Sequence, residues 1–173
     1  SLSTKANDAS LLLYVLKSGD TMTGNLNITA ADIITHTDNT NVKLGKDSFI
    51  LNTYGTSNTI VGNGAMAGNT IGSYNTAVGR WSLVSNSSGN YNTAIGFSSM
   101  AENTTGEENI AIGYNAGTYT IDVTTGNTEG KRCIFIGVRS MSLSTSDENE
   151  IVIGTDTKGM GSNTVVIGNE DCV

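Results

Sequence analysis

Proline is missing from this chain altogether, aromatic residues make up only 6% of it, and histidine, tryptophan and cysteine number one, one and two. Each scarcity excludes something. Only 37% of the residues are hydrophobic, too thin a supply for a conventional core, yet with 21 glycines and abundant Asn, Thr and Ser the apolar residues remain periodic, unlike those of a disordered chain. Nine Lys and Arg against sixteen Asp and Glu, for a net charge of −7, leave no basic stripe for nucleic acid. No stretch approaches the ~20 apolar residues of a membrane span; the longest apolar run is Leu11 to Leu16, so no membrane insertion is expected. Two cysteines are too few for a disulfide scaffold. Cys133 and Cys172 read as buried thiols in preference to a bridge.

What the chain has in excess is repetition. A phrase close to Asn-Thr-Ala-Val/Ile-Gly ends on Gly45, Gly62, Gly79, Gly96 and Gly113, each step 17 residues. A second glycine lies seven residues earlier at Gly55, Gly72, Gly89, Gly106, Gly130 and Gly161, with Asp147 breaking the rule. Asparagine falls four residues before the corner glycine at Asn41, Asn58, Asn75, Asn92 and Asn109, and seven after it at Asn52, Asn69, Asn86 and Asn103. Large apolar residues fall four after it, at Phe49, Met66, Leu83, Met100 and Met141. After Gly113 the step widens to 24, an insertion of seven near Thr118 to Asn127, then returns to 17 at Gly154 and shortens to 14 at Gly168. A locked period of this size marks stacked coils.

Each position has a physical task. Branched aliphatics precede every corner glycine, from Leu44 and Val61 to Ile153 and Ile167, and the residue two before shares their strand face. Ala77, Ala94 and Ala111 lie between these positions, which predicts a closely packed neighbour, read as a seam between subunits. Glycine suits corners that need positive φ or close approach. The asparagine columns predict side-chain ladders along the stack, the alternative being simple turn marking. Eight coils at about 4.8 Å predict a parallel roll roughly 35 Å long, with the insertion bulging as a loop. Coils this thin need one another and partners.

Residues 1–18 differ. Leu2, Ala6, Ala9, Leu13 and Leu16 form a short helical seam suited to self-association, or an amphipathic helix on its own domain; Ser18-Gly19-Asp20 then ends the pattern. The following connector runs over 19–40, and the repeats over 41–173.

Tyr14-Val-Leu-Lys-Ser-Gly-Asp-Thr-Met-Thr-Gly-Asn-Leu-Asn-Ile28, preceded by Lys5-Ala6-Asn7, resembles a segment of bacteriophage tail fibres. The repeats over roughly 41 to 168 are similar to the heads of trimeric autotransporter adhesins (YadA-like), left-handed parallel β-rolls with an Asn-Ser/Thr-x-Ala-Ile-Gly phrase per coil. Departures are the longer 17-residue coil and Lys43 in place of a small residue. Both families are extended homotrimers that present surfaces to host cells. The resemblance therefore implies an all-β, left-handed parallel β-roll, homotrimeric, with a short N-terminal helical segment.

Reactive chemistry is sparse. His36 stands between two threonines without nearby Cys, and Asp38 alone makes no metal site, so a surface role is read. The carboxylates at Glu107-Glu108, Asp147-Glu148-Glu150 and Glu170-Asp171 read as solvated turns; a glycosidase pair needs two opposed carboxylates across a cleft, and calcium loops are denser in Asp and Gly. Gly126 to Arg132 lacks phosphate-loop spacing. The triplets at Asn27, Asn86 and Asn103 read as accidental glycosylation matches. No cofactor, metal or catalytic residue is expected.

Binding fits better. Tyr74 and Tyr91 occupy one repeat position and are predicted to stack ~5 Å apart. Arg80, Phe97 and Tyr114 share another, just past the corner, with Trp81 following Arg80. Aromatics beside Asn and Arg on a rigid surface suit sugar or protein recognition, the competing role being to cover coil corners or pack between subunits. The expectation is a non-enzymatic segment of a phage or viral fibre or spike, located on the virion. Its partners would be a homotrimer, other fibre subunits and a host cell-surface glycan or protein. The alternatives are the head of a bacterial surface adhesin on the cell surface, favoured by the roll and disfavoured by the connector, and a polysaccharide-cutting tailspike.

Overall fold

A computed structural model describes residues 41–169. The helix expected over 1–18, the connector over 19–40, His36, Glu170, Asp171 and Cys172 lie outside the described residues. Eight three-residue strands follow one another: β1 (Val42–Leu44), β2 (Thr59–Val61), β3 (Thr76–Val78), β4 (Thr93–Ile95), β5 (Ile110–Ile112), β6 (Ile134–Ile136), β7 (Ile151–Ile153) and β8 (Val165–Ile167). They form a single parallel sheet in chain order. The fold is thus an all-β solenoid of seven steps between eight strands, with no helix among the described residues.

Register follows the repeat. Thr76 pairs with Thr93 and Ala77 with Ala94, and the 24-residue step preserves it, with Ala111 opposite Phe135. β-Branched residues at the strand flanks suit this pleated edge. Each strand ends at its corner glycine. Gly79 takes φ +135°, and a methyl there would sit 2.3 Å from the Gly96 carbonyl oxygen of the next coil. Strain and collision together restrict the corner to glycine.

The strand faces are opposite to the expected arrangement. Ala77, Ala94 and Ala111 are fully buried within the single chain, in one column with Ile60, Phe135 and Val152. The close neighbour of the small alanines is the interior of their own coil, not another subunit. The same column holds Ile60 before the alanines and Phe135 and Val152 after them, so the small residue is confined to the three middle coils. Across from this column lie Met66, Leu83 and Met100, buried as the repeat predicts.

A second feature had no glycine to announce it. Non-glycine residues take left-handed backbone at fixed places in the coils: Trp81 (φ 59°), Ser98 (52°) and Asn115 (52°) two after the corner, Met66 (47°), Leu83 (49°) and Met100 (48°) four after it, and Tyr74 (61°), Tyr91 (58°) and Glu108 (60°) five before it. Each such residue costs about 1–2 kcal/mol against ordinary backbone. Burial of a Leu or Met returns about 1.5–3 kcal/mol, so the inward residues offset the strain.

Both asparagine columns are ladders. In one, the backbone N–H of Asn75 donates to Asn58 Oδ1 at 2.9 Å and that of Asn92 to Asn75 Oδ1 at 2.9 Å, while each side-chain amide donates to a glycine carbonyl, as Asn75 does to Gly89 at 2.9 Å. In the other, Asn86 Nδ2 donates to Asn69 Oδ1 at 2.9 Å and Asn103 Nδ2 to Asn86 Oδ1 at 2.8 Å. These amides satisfy backbone groups that the narrow coil buries. Asn86 and Asn103 are buried, so neither is placed to carry a glycan.

The insertion forms a small hairpin. Tyr119 bridges Gly126 antiparallel, and Thr120 N–H donates to the Thr125 carbonyl at 2.9 Å. Asp122 accepts from the N–H groups of Thr124 and Thr125 at 2.9 and 2.8 Å. Val123 at the tip is 59% exposed, but Thr118, Thr120 and Asn127 at the base are buried, so the base is part of the stack.

Candidate binding surface

Because the column between the strand flanks points inward, the flanks point outward. The two flanks of eight strands make sixteen positions, of which thirteen are Val, Leu or Ile and three are Thr. The result is an apolar strip along the whole described stack. Val42, Leu44, Ile95, Ile110, Ile112, Val165 and Ile167 are all exposed large hydrophobics, Ile167 reaching 72%. A contiguous patch of this kind is unusual on a monomer.

Two aromatic groups lie at opposite ends of the strand, one five residues before the corner and one just after it. Tyr74 and Tyr91 stack with centroids 4.9 Å apart and planes 3° from parallel, as their shared repeat position predicts. Both stand in left-handed backbone, which aligns them outward in a column. In the second group Phe97 and Tyr114 stack at 5.6 Å, Trp81 meets Phe97 edge-on at 5.5 Å, and the Arg80 guanidinium lies 3.8 Å from the Trp81 centroid. The Arg80 guanidinium thus lies against the Trp81 ring, beside the Phe97 and Tyr114 stack. No ring contact among the described residues joins the two groups, so Tyr74, Tyr91 and Trp81 do not make one continuous aromatic strip.

Beside the second group lies an open cleft of about 420 Å³. Trp81, Phe97 and Tyr119 supply its rings, and Ser98, Glu102 and Asn115 its polar groups. It spans three coils, between residues one or two past the corner and residues five or six past it. Thr118 at the hairpin base anchors it, donating its hydroxyl to the Ser98 carbonyl. A methyl at Gly126 would sit 2.5 Å from Glu102 Cβ, so the hairpin rests on the stem of Glu102. Glu102 and Tyr119 escaped the sequence reading although both fall six after a corner glycine, because one stands in the insertion and the other looks like a surface acid. The column containing Leu51, Gly68, Ser85, Glu102 and Tyr119 was the available signal.

The carboxylates divide by environment. Glu107 pairs with Lys131 at 3.1 Å and Glu148 with Arg132 at 2.7 Å, both exposed and of small energetic weight. Asp147 and Glu150 are a correction to the solvated-turn expectation, since Glu150 is fully buried and Asp147 nearly so. Glu150 takes the slot held by asparagine in earlier coils. It accepts from Ser142 Oγ at 2.8 Å and from the Gly161 N–H at 2.7 Å, and burial pushes its carboxyl above the usual range. Asp147 accepts from the Ser144 N–H at 2.7 Å and from Ser162 Oγ at 3.1 Å. These donors hold the pair as structure. No group of three metal-ligating side chains occurs among the described residues.

Cys133 is a free, buried thiol in the same slot, pushed up to about 11, chiefly by burial. Its Sγ lies 3.2 Å from the Asp147 carbonyl, where earlier coils place an amide against a glycine carbonyl.

Comparison with known proteins gives no match to a family model, to a curated protein or to a solved structure.

Proposed function

We propose that this chain is the structural and receptor-binding segment of a homotrimeric phage or viral fibre or spike, its solenoid fixing a length and carrying an attachment surface. The observation that supports this reading is the apolar strip of outward strand flanks. If covering them recovers about 1 kcal/mol per side chain, the thirteen aliphatics contribute roughly 13 kcal/mol per chain. Association costs about 4–15 kcal/mol, so the strip alone is of the right size to hold copies together. The seam of the trimer is thus assigned to the flanks, and the alanine column is released from that role. Exposed aromatics at both ends of the strand remain available for a host glycan or protein, and the segment acts without catalysis.

Sedimentation equilibrium tests the assembly. A stable folded monomer at micromolar concentration would sink it. Ile95→Lys combined with Ile112→Lys is expected to dissociate the assembly, because two charges per chain then face an apolar seam. Attachment is tested separately, by competition of the purified chain with virions for adsorption to host cells.

A further inference from the structure

The cleft beside Trp81 breaks the repeat twice. It is walled where the insertion enters the stack, and its polar side chains are not engaged by the described coils. Among the described residues, the side chains of Ser98, Glu102, Asn115 and Tyr119 have no hydrogen-bond or ion-pair partner, and the Glu102 stem meets the hairpin at Gly126. Elsewhere in these coils, buried amides are tied into ladders. Here one carboxylate, one amide and two hydroxyls stand free around three aromatic rings. Trp81 also occupies left-handed backbone in a column that is otherwise Gly64, Ser98 and Asn115 in neighbouring coils, a place where a small or polar residue is cheaper.

We infer that this cleft binds a single neutral pyranose residue of a glycan, its ring face against Trp81 and Phe97 and its hydroxyls donating to Glu102 and meeting Asn115 and Tyr119. The reasoning is by chemistry. Aromatic rings cover the apolar C–H face of a sugar, while a free carboxylate seeks several hydroxyl donors on one compact ligand and forms charge-assisted bonds with them. About 420 Å³ falls within the range of small-ligand sites. Glu102 lines the cleft, whereas the Arg80 guanidinium lies on the Trp81 ring and is not part of the lining, so the charge facing the ligand and the net charge of −7 both disfavour acidic sugars and phosphates. The inference deepens the attachment reading and rests on it for its biological purpose, whereas the site itself can be tested without host or virion.

Trp81 is the only tryptophan in the chain, so its emission reports on this cleft alone. The full chain is titrated with the methyl glycosides of glucose, galactose and N-acetylglucosamine, and with N-acetylneuraminic acid as the acidic control. A saturable change with at least one neutral glycoside is expected, with a Kd of order 1 mM, and a response at least about tenfold weaker for the acid. Tyr119→Ala and Glu102→Gln are each expected to weaken binding about tenfold with unchanged circular dichroism. Should a variant fail to fold, ligand-observed saturation transfer on the wild-type chain, with Trp81 protons as the contact reporter, takes its place. No saturable response to any neutral glycoside overturns the inference, as does tighter binding of the acid or full binding by both folded variants. Normal competition with virions in the absence of sugar binding would remove this cleft and leave the attachment reading standing; sugar binding without competition would do the reverse.

Discussion

The coils before Gly113 and those after it solve one problem with different materials. In the first five coils the slot four before the corner is asparagine every time, and its amide both accepts from the following coil and donates to a carbonyl. In the later coils the slot holds Cys133, Glu150 and Thr164. Cys133 still receives the ladder, its N–H donating to Asn109 Oδ1 at 2.9 Å, but offers no amide oxygen onward. The other ladder stops here as well. Its column continues as Ser144, which brings no amide, and Asn127 Oδ1 is left buried without a donor. The interior column also changes, from Ile60, Ala77, Ala94 and Ala111 to Phe135 and Val152. The early coils are held by polar uniformity, the later ones by apolar bulk and buried carboxyls.

That contrast can be broken by substitution, beginning with the largest effects. Phe135→Ala should destabilise by about 3–5 kcal/mol, since it removes the bulkiest fully buried side chain among the described residues. Ala94→Phe, its mirror in the early coils, should cost about 1–3 kcal/mol or more by overpacking; unfolding in urea measures both, and unchanged stability would place the alanine column on solvent. Within the slot itself, Asn92→Ala should lose about 2–4 kcal/mol, because the buried Asn109 N–H loses its acceptor and the Gly106 carbonyl keeps only the longer bond from Asn103 Nδ2 at 3.1 Å. Cys133→Ala should lose less, about 1–2 kcal/mol, as it removes only a weak thiol donor. Equal losses would mean that the ladder adds nothing beyond filling space.

Acidity sharpens the same comparison. The folded-state pKa of Glu150 is raised, so its proton is favoured by folding: its contribution is complete below the ordinary glutamate range and is lost as pH rises through the raised value. Glu150→Gln should therefore melt a few degrees above the wild type at neutral pH and lose that advantage in acid, measured by thermal melts across pH. The smallest effect is expected at the hairpin tip. Donors from Thr125 and Thr124 hold the Asp122 carboxyl well below the usual range, so its contribution is present above that range and disappears only in strong acid. Asp122→Ala should raise amide exchange in the 120–125 turn while leaving the global melt nearly unmoved.

Much of this was legible in the residues. A recurring corner glycine, at steps of 17 broken once by 24 and once by 14, and a branched aliphatic before it located all eight strands, and a shared repeat position was enough to stack Tyr74 on Tyr91. The inside of the strand was not legible, because Thr-Ala-Ile offers apolar groups on both faces and three residues are too few for alternation to choose. Left-handed Met66, Leu83 and Trp81 gave no warning, since only glycine and asparagine advertise that conformation locally. Glu150 was misread because charge is normally a surface sign, and its burial depends on Ser142 and Gly161, distant from it in sequence. The cleft was hidden for a related reason: Tyr119 belongs to the insertion, and only the folded stack brings it beside Trp81.

The uniform step of the early coils also makes them interchangeable parts. A copied 17-residue unit spliced between Gly62 and Gly96 would meet the same carbonyls, the same amides and the same corner on either side, and would lengthen the stack by one strand spacing of about 4.8 Å. Neither neighbour would register the newcomer. Reach thus becomes a quantity that gene duplication can adjust in single increments, like notches on a measuring rod, while the irregular coils beyond Gly113 keep their own form at whatever height they are carried.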